Sequence, residues 1–246
     1  MKLTVLGIYA PYPPAGGATS GYLLSGGGTN ILLDCGSGVV SRLQSFVSID
    51  DIDAVVLSHL HGDHIADIEV LRYMPGYRKS FEGGSKEGLI VYSPDKPEEE
   101  YKLLRSVRFF DVMPVYHGMS AAAGGMRLEF FSMEHPYPVF GVRIACEGKT
   151  FVYTGDTVMN KNIAPMIRGA DMLLCDSSFL SADKAPDSTH LSAAEAARLS
   201  LDNGVKRLVL THRLTHYYAG ADAHLAEAKA IYNNCELAEE MRSYEF

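Results

Sequence analysis

Apolar residues in this chain cluster in short blocks separated by glycine- and proline-rich punctuation. In the first half, Leu3 to Ile8, Gly21 to Leu24, Asn30 to Leu33 and residues 53–57 read as strands, the second and third joined by a turn at Gly26-Gly-Gly28. Residues 10–19 form a Pro/Gly-rich loop. A helix is expected from about Gly38, because Val39, Val40, Leu43 and Val47 share one helical face. A second helix should run from Ile65 to about Tyr73. Residues 76–88, rich in glycine and lysine, read as an exposed loop. Leu89 to Tyr92 then gives a strand and Glu98 to Arg108 a helix.

The second half repeats the theme. Arg127 to Met133, Phe140 to Cys146 and Thr150 to Thr154 are strand blocks, and Glu147-Gly148 signals a hairpin between the last two. Asp171 to Cys175 and Arg207 to Leu210 read as buried strands. Between them Ser192-Ala-Ala-Glu195 is a capping box, in which serine and glutamate satisfy free helix N–H groups reciprocally. A helix over Ala221 to Tyr232 and a short strand pair around Glu236 to Phe246 complete the pattern. No long linker divides the halves, so residues 1–246 read as a single domain.

Composition narrows this picture. An apolar fraction of 47% in 246 residues supports a sizeable core. No stretch approaches the roughly 18 apolar residues that span a membrane. The segment Met1 to Ile8 is too short for a signal peptide and reads as a first strand. Cys35, Cys146, Cys175 and Cys235 are scattered without paired spacing, which suits a reduced, cytoplasmic protein. The formal net charge is −8, and no lysine/arginine block is present. A generic nucleic-acid surface would need a basic stripe to displace phosphate counterions.

The densest chemistry lies in Ser58-His-Leu-His-Gly-Asp-His-Ile65. His59, His61, Asp63 and His64 offer imidazole and carboxylate, the ligands that suit zinc and similar divalent ions. His59 and His61, two apart, point the same way on an extended segment. His61 and His64, three apart, come together on a helical turn. A strand running into a helix start can therefore aim all four at one small volume. Three further residues follow apolar strands: His135 in Ser132-Met-Glu-His, Asp156 in Val152-Tyr-Thr-Gly-Asp, and His212 in Leu208-Val-Leu-Thr-His.

The HxHxDH run, with these later residues in this order, resembles the metallo-β-lactamase superfamily, and in particular its ribonuclease Z-like and phosphodiesterase branch. The resemblance covers nearly the whole chain. It implies an α+β fold, a four-layer αββα sandwich. It also implies two divalent ions per chain, zinc first with manganese or iron compatible. His59, His61 and His135 would hold one ion and Asp63, His64 and His212 the other, with Asp156 bridging. Two such ions can share a hydroxide and stabilise both attacking and leaving oxygens.

Asp34, in Leu32-Leu-Asp-Cys-Gly36, is a candidate for orienting a ligating histidine. In the branch that the chain resembles, a histidine in the loop before the capped helix assists phosphate binding and protonates the leaving group. His190 occupies that loop, although Ser188 and Thr189 precede it instead of following. Asp63, Asp156 and His190 are thus the expected catalytic residues. His117, His216 and His224 match no ligand position and are expected at the surface, with His216 nearest the pocket.

Two departures narrow the chemistry. Secreted zinc β-lactamases carry cysteine where this chain has Asp156, and the redox diiron branch replaces the second motif histidine by glutamate. A hydrolase acting on a small phosphodiester is the leading expectation, with a lactone or thioester hydrolase as the alternative and a non-catalytic metal-binding sensor behind both. The pocket walls should come from loops 10–19, 74–88 and 177–190. Only twenty residues separate His135 from Asp156. No tRNA-gripping arm is therefore expected there, and the expected partners are a small substrate and, by analogy, a second copy in a homodimer.

Overall fold

The computed structural model describes residues 1–84 and 87–246. In chain order the first seven strands are β1 (Lys2–Gly7), β2 (Tyr9–Ala10), β3 (Gly21–Gly26), β4 (Thr29–Leu33), β5 (Ala54–Val56), β6 (Leu89–Ser93) and β7 (Phe110–Pro114). The remainder are β8 (Ser120–Ala123), β9 (Met126–Met133), β10 (Val139–Cys146), β11 (Lys149–Tyr153), β12 (Met172–Asp176), β13 (Leu208–Thr211), β14 (Arg213–Leu214), β15 (Cys235–Leu237) and β16 (Ser243–Glu245). Two seven-stranded sheets result, in the orders β16-β1-β3-β4-β5-β6-β7 and β15-β13-β12-β11-β10-β9-β8. In each sheet one half is antiparallel. The other half, β4 to β7 in the first and β11, β12, β13 and β15 in the second, is parallel.

The alternation of side chains across the pleat explains the layering. Leu3, Val5, Leu24, Ile31, Leu33 and Val56 point inward and meet Leu128, Phe130, Val142, Ile144, Leu174 and Val209 of the second sheet. Their neighbours Leu6, Leu23, Leu32 and Val55 point outward, against Val39, Val40, Leu43, Ile68, Leu71 and Leu104 from helices. On the far side Val152, Leu173, Leu208 and Leu210 pack against Ile163, Met166, Ala193, Ala196, Ala197 and Ala228. Strands buried on both faces need continuous apolar runs, which is why these blocks lack polar alternation. Three apolar clusters between four layers make the αββα sandwich. Each large side chain so buried contributes about 1.5–3 kcal/mol.

Several elements differ from their sequence reading. Met74–Phe81 is a helix, not a loop, started by Pro75 in its first turn. The helix expected to Tyr73 is broken into Gly62–Ile65 and Ile68–Leu71. The two C-terminal strands do not pair with each other. β15 joins β13 in the second sheet, whereas β16 crosses to β1 in the first. Strands β7 and β8, the edges of their sheets, are additional to the sequence reading, and β8 carries no bulky apolar residue. The four cysteines are buried and unbridged.

Candidate metal centre

The parallel strands of both sheets end on the same rim, and side chains at or beyond those ends build the site. β5 runs out into Ser58-His59-Leu60-His61. His61 keeps extended dihedrals (φ −68, ψ 149) as the cap of the helical turn Gly62–Ile65. The strand-to-helix switch therefore falls inside the motif and turns Asp63 and His64 toward the histidines before it. His135 follows β9, Asp156 follows β11 and His212 follows β13. Gly155 has φ +60, and a Cβ there would lie 2.9 Å from that of Ser58. Only glycine lets β11 turn so closely beneath the motif. Asp34 and His212 themselves occupy the left-handed region, at φ 54 and 59.

The geometry fits divalent ions. His59 Nε2 and His61 Nδ1 are 2.9 Å apart, and His64 Nε2 and His212 Nε2 are 3.2 Å apart. Asp156 Oδ2 lies 3.5, 3.4 and 3.2 Å from the Nε2 atoms of His59, His64 and His212. Asp63 Oδ2 lies 3.7 and 3.5 Å from those of His64 and His212. Ligands about 2.0–2.1 Å from a tetrahedral ion stand roughly 3.3 Å from one another, so these are the separations of atoms that share a cation. Ligand atoms of His59, His61, His135 and Asp156 all fall within 4.8 Å of one another, as do those of Asp63, His64 and His212. Asp156 Oδ1 is buried without any hydrogen-bond partner. A buried carboxylate with one oxygen beside these histidines and the other without a partner suits a metal-bridging ligand.

The opposite edges of four of the five imidazoles are engaged. His64 Nδ1 donates to Asp34 Oδ2 at 2.7 Å, and His135 Nδ1 to the Thr189 carbonyl at 3.1 Å. Ser58 Oγ gives its proton to Asp34, so it accepts from His59 Nδ1 at 3.0 Å. Ser178 Oγ gives its proton to Asp176 and accepts from His212 Nδ1 at 2.8 Å. Carboxylates and carbonyls only accept. Four rings are thereby fixed as Nδ1–H donors, leaving Nε2 for the centre.

Asp34 is anchored from both sheets, since Tyr153 Oη also donates to its Oδ2 at 2.7 Å. A parallel tie joins Tyr22 Oη and Thr211 Oγ1 at 2.7 Å. The rings of Tyr22 and Tyr153 lie 5.3 Å apart beneath the site.

Electrostatics favour the ligand forms. Burial, reinforced by neighbouring imidazoles, pushes His59 well below its ordinary value and lowers His61. Burial also lowers His135. These stay neutral, as ligands must. Burial would raise Asp63 and Asp156, but His212 and His64 outweigh it and hold both carboxylates down. His64 is the exception: burial is overcome by Asp156 and Asp34, which raise it well above 6.5, so a bound cation must displace its proton.

A pocket of about 300 Å³ opens over the cluster. Ala10, Pro11, Pro136, Thr189, His190 and Leu214 form its walls around His61, Asp63, His135, Asp156 and His212. Ala10 reaches it because β2 pairs with β14, directly after His212. Loops 10–19 and 177–190 thus contribute as expected, whereas the described residues of 74–88 do not. His190 enters the wall with its Nδ1 2.9 Å from Asp176 Oδ2, and its ring stacks on that of His212 at 5.0 Å. Burial opposes charge on His190, yet Asp176 raises it to about 9.

The other histidines divide. His117 is exposed. His216 is exposed and outside the pocket wall. His224, expected at the surface, is 2% exposed, with neither ring nitrogen hydrogen-bonded. Asp176 and Ser178 escaped the sequence reading. The position of Asp176 at the end of a buried strand, like that of Asp156, was the available signal.

A β-lactamase superfamily domain model matches residues 29–213. The probable metallo-hydrolase YhfI of Bacillus subtilis is 35% identical over 234 residues, covering 95% of this chain and 94% of its own. The crystal structure of that metallo-β-lactamase fold protein matches with a TM-score of 0.90 at 31% identity, over 99% of this chain and 98% of the other. Two more distant crystal structures share the fold alone. Human tRNase Z, short form, has a TM-score of 0.76 at 22% identity, covering 100% and 99% of the two chains. A diphosphatase of the PhnP family has a TM-score of 0.77 at 20% identity, covering 100% and 96%.

Proposed function

The chain belongs to the β-lactamase superfamily, and from that membership and the geometry of its histidine–aspartate cluster we propose a metal-dependent hydrolase that cleaves a small phosphodiester. His59, His61 and His135 would hold one divalent ion and Asp63, His64 and His212 a second, with Asp156 between them. Zinc is the first choice for this nitrogen and oxygen set. When bound there, two such ions lower the pKa of a shared water and neutralise charge on the attacking and leaving oxygens.

His190 is the observation that supports phosphodiester cleavage. Its Nδ1 is taken by Asp176, so its other nitrogen is left for the pocket. An imidazolium held there by a buried carboxylate can pass a proton to an alkoxide leaving group. A thioester would be opened by the same water with less need of such a donor, because a thiolate is a weakly basic leaving group. Asp63 and Asp156 keep the ligand histidines paired and the centre charge-balanced.

The test is a panel of chromogenic phosphodiester, lactone and thioester substrates on protein of measured metal content. Bis(p-nitrophenyl) phosphate should turn over fastest. His190→Ala should slow cleavage of a dialkyl phosphodiester, whose alkoxide needs the proton, by about 10²–10⁴-fold, the range for a lost general acid, without changing metal content. Dominant lactone or thioester turnover, or loss of metal in His190→Ala, refutes the assignment.

A further inference from the structure

Four carboxylates crowd the proposed centre, and their side chains are almost completely buried. Exposure is 0% for Asp34, 10% for Asp63, 3% for Asp156 and 0% for Asp176. Asp34, Asp63 and Asp156 offset three of the four positive charges of two divalent ions, while Asp176 is paired with His190. The centre then has little surplus charge for a substrate, although charge is felt strongly in a site this dry.

No lysine or arginine lines the pocket among the described residues. The nearest basic neighbours in sequence are committed elsewhere. Arg213, adjacent to His212, sets its guanidinium over the Tyr9 ring. Lys184 is paired with Glu195 at 2.5 Å. The remaining wall is apolar, from Ala10, Pro11, Pro136 and Leu214. Its volume of about 300 Å³ is at the small end of ligand sites, which span roughly 300–1,000 Å³. Sites that bind phosphate dianions or polyphosphates normally add arginine or lysine clamps.

We propose that this pocket selects a phosphodiester bearing one negative charge between two neutral, largely apolar substituents, and discriminates against dianionic phosphate monoesters and polyphosphates. This selectivity rests on the phosphodiesterase reading for its biological sense, but it is read by binding alone. Each substrate charge beyond the first must be desolvated against a wall whose one cation, His190, is already paired with Asp176.

Calorimetric titration of the zinc-loaded protein with diphenyl phosphate and with phenyl phosphate tests it, at about pH 8 where the monoester is a dianion. Diphenyl phosphate should bind at least about tenfold more tightly. Leu214→Arg, which places a cation in the wall, should strengthen phenyl phosphate binding by about tenfold, as expected for one close charge pair. Pro136→Arg, at an exposed position, makes the same comparison should the first variant not fold. Equal or tighter binding of phenyl phosphate by the unaltered protein overturns the proposal, as does failure of both compounds to bind. Turnover of bis(p-nitrophenyl) phosphate is scored separately. Its absence, with the binding preference intact, refutes the hydrolase reading and leaves the selectivity standing.

Discussion

Replacing Asp34 by asparagine removes a charge and breaks one hydrogen bond while keeping size and backbone preference. Asp34 accepts four hydrogen bonds, from Ser58 N at 2.7 Å, Ser58 Oγ at 2.8 Å, His64 Nδ1 at 2.7 Å and Tyr153 Oη at 2.7 Å. Whichever way the amide is turned, its NH2 must face a donor. Asparagine tolerates the left-handed φ of 54, so no backbone strain is added. Turned so that its NH2 meets only the Ser58 N–H, the amide still offers His64 an acceptor, but an uncharged and weaker one, so the Nδ1–H that leaves Nε2 for a metal is held less firmly. Disrupting such a partner costs 10–100-fold in metal affinity, or about 1.4–2.7 kcal/mol.

Alanine is the harsher change. It strands the Ser58 N–H, His64 N–H and Tyr153 O–H in the core at roughly 1–3 kcal/mol each. It also places a methyl side chain in a left-handed conformation, at about 1–2 kcal/mol. Against a total stability of about 5–15 kcal/mol, that variant is near unfolding. The assay is therefore chelator competition for zinc on Asp34→Asn, beside thermal unfolding of the metal-free protein. Unchanged zinc affinity in a folded Asp34→Asn would show that His64 does not depend on this carboxylate, and the ligand assignment behind it would fall.

Elemental analysis of unchelated protein, with anomalous diffraction, should find two metal ions per chain; a single site with Asp63 and His212 unliganded refutes the dinuclear arrangement. Asp156→Ala should abolish hydrolysis and reduce the metal count, and full metal content with normal turnover would contradict its bridging role. In metal-free protein, NMR titration should place His190 at about 9 and Asp176→Asn should return it toward about 6.5; the stabilisation from this raised pKa is complete below about 6.5 and lost as pH rises through about 9. Metal-loaded protein should leave precursor tRNA uncut at physiological salt, because β10 and β11, joined at Glu147-Gly148, occupy most of the twenty residues between His135 and Asp156, and efficient cleavage at the discriminator base would overturn this.

What the sequence shows and what it hides follow from how far apart the interacting residues lie. The motif from His59 to His64 is legible because its geometry is local, a strand end meeting a helical turn. The buried strands are legible because both faces are apolar. The helix Met74–Phe81 is not, since Pro75 and Gly76 imitate a loop and its large residues Tyr77 and Phe81 face outward, at 57% and 75% exposure. β8, Ser120 to Ala123, has no bulky residue to mark it as a strand, and Pro114 blurs the end of β7.

The supporting contacts are hidden for a different reason. Tyr153 and Asp34 are 119 residues apart, and Asp34 and His64 are 30 apart. Neither tyrosine nor aspartate at a strand end advertises its partner. Yet the same contacts explain why the ligands can be spread from residue 59 to residue 212. Tyr153 ties the second sheet to Asp34 of the first, and Tyr22 ties the first to Thr211 of the second. The rim that carries the ligands is thus cross-braced between sheets directly beneath them. A dinuclear site tolerates little play in its ligand spacing. Removing either phenol hydroxyl, in Tyr22→Phe or Tyr153→Phe, should therefore weaken metal affinity beyond any loss of stability in the metal-free fold. Equal losses in both measurements would reduce these braces to ordinary core hydrogen bonds, each worth about 1 kcal/mol.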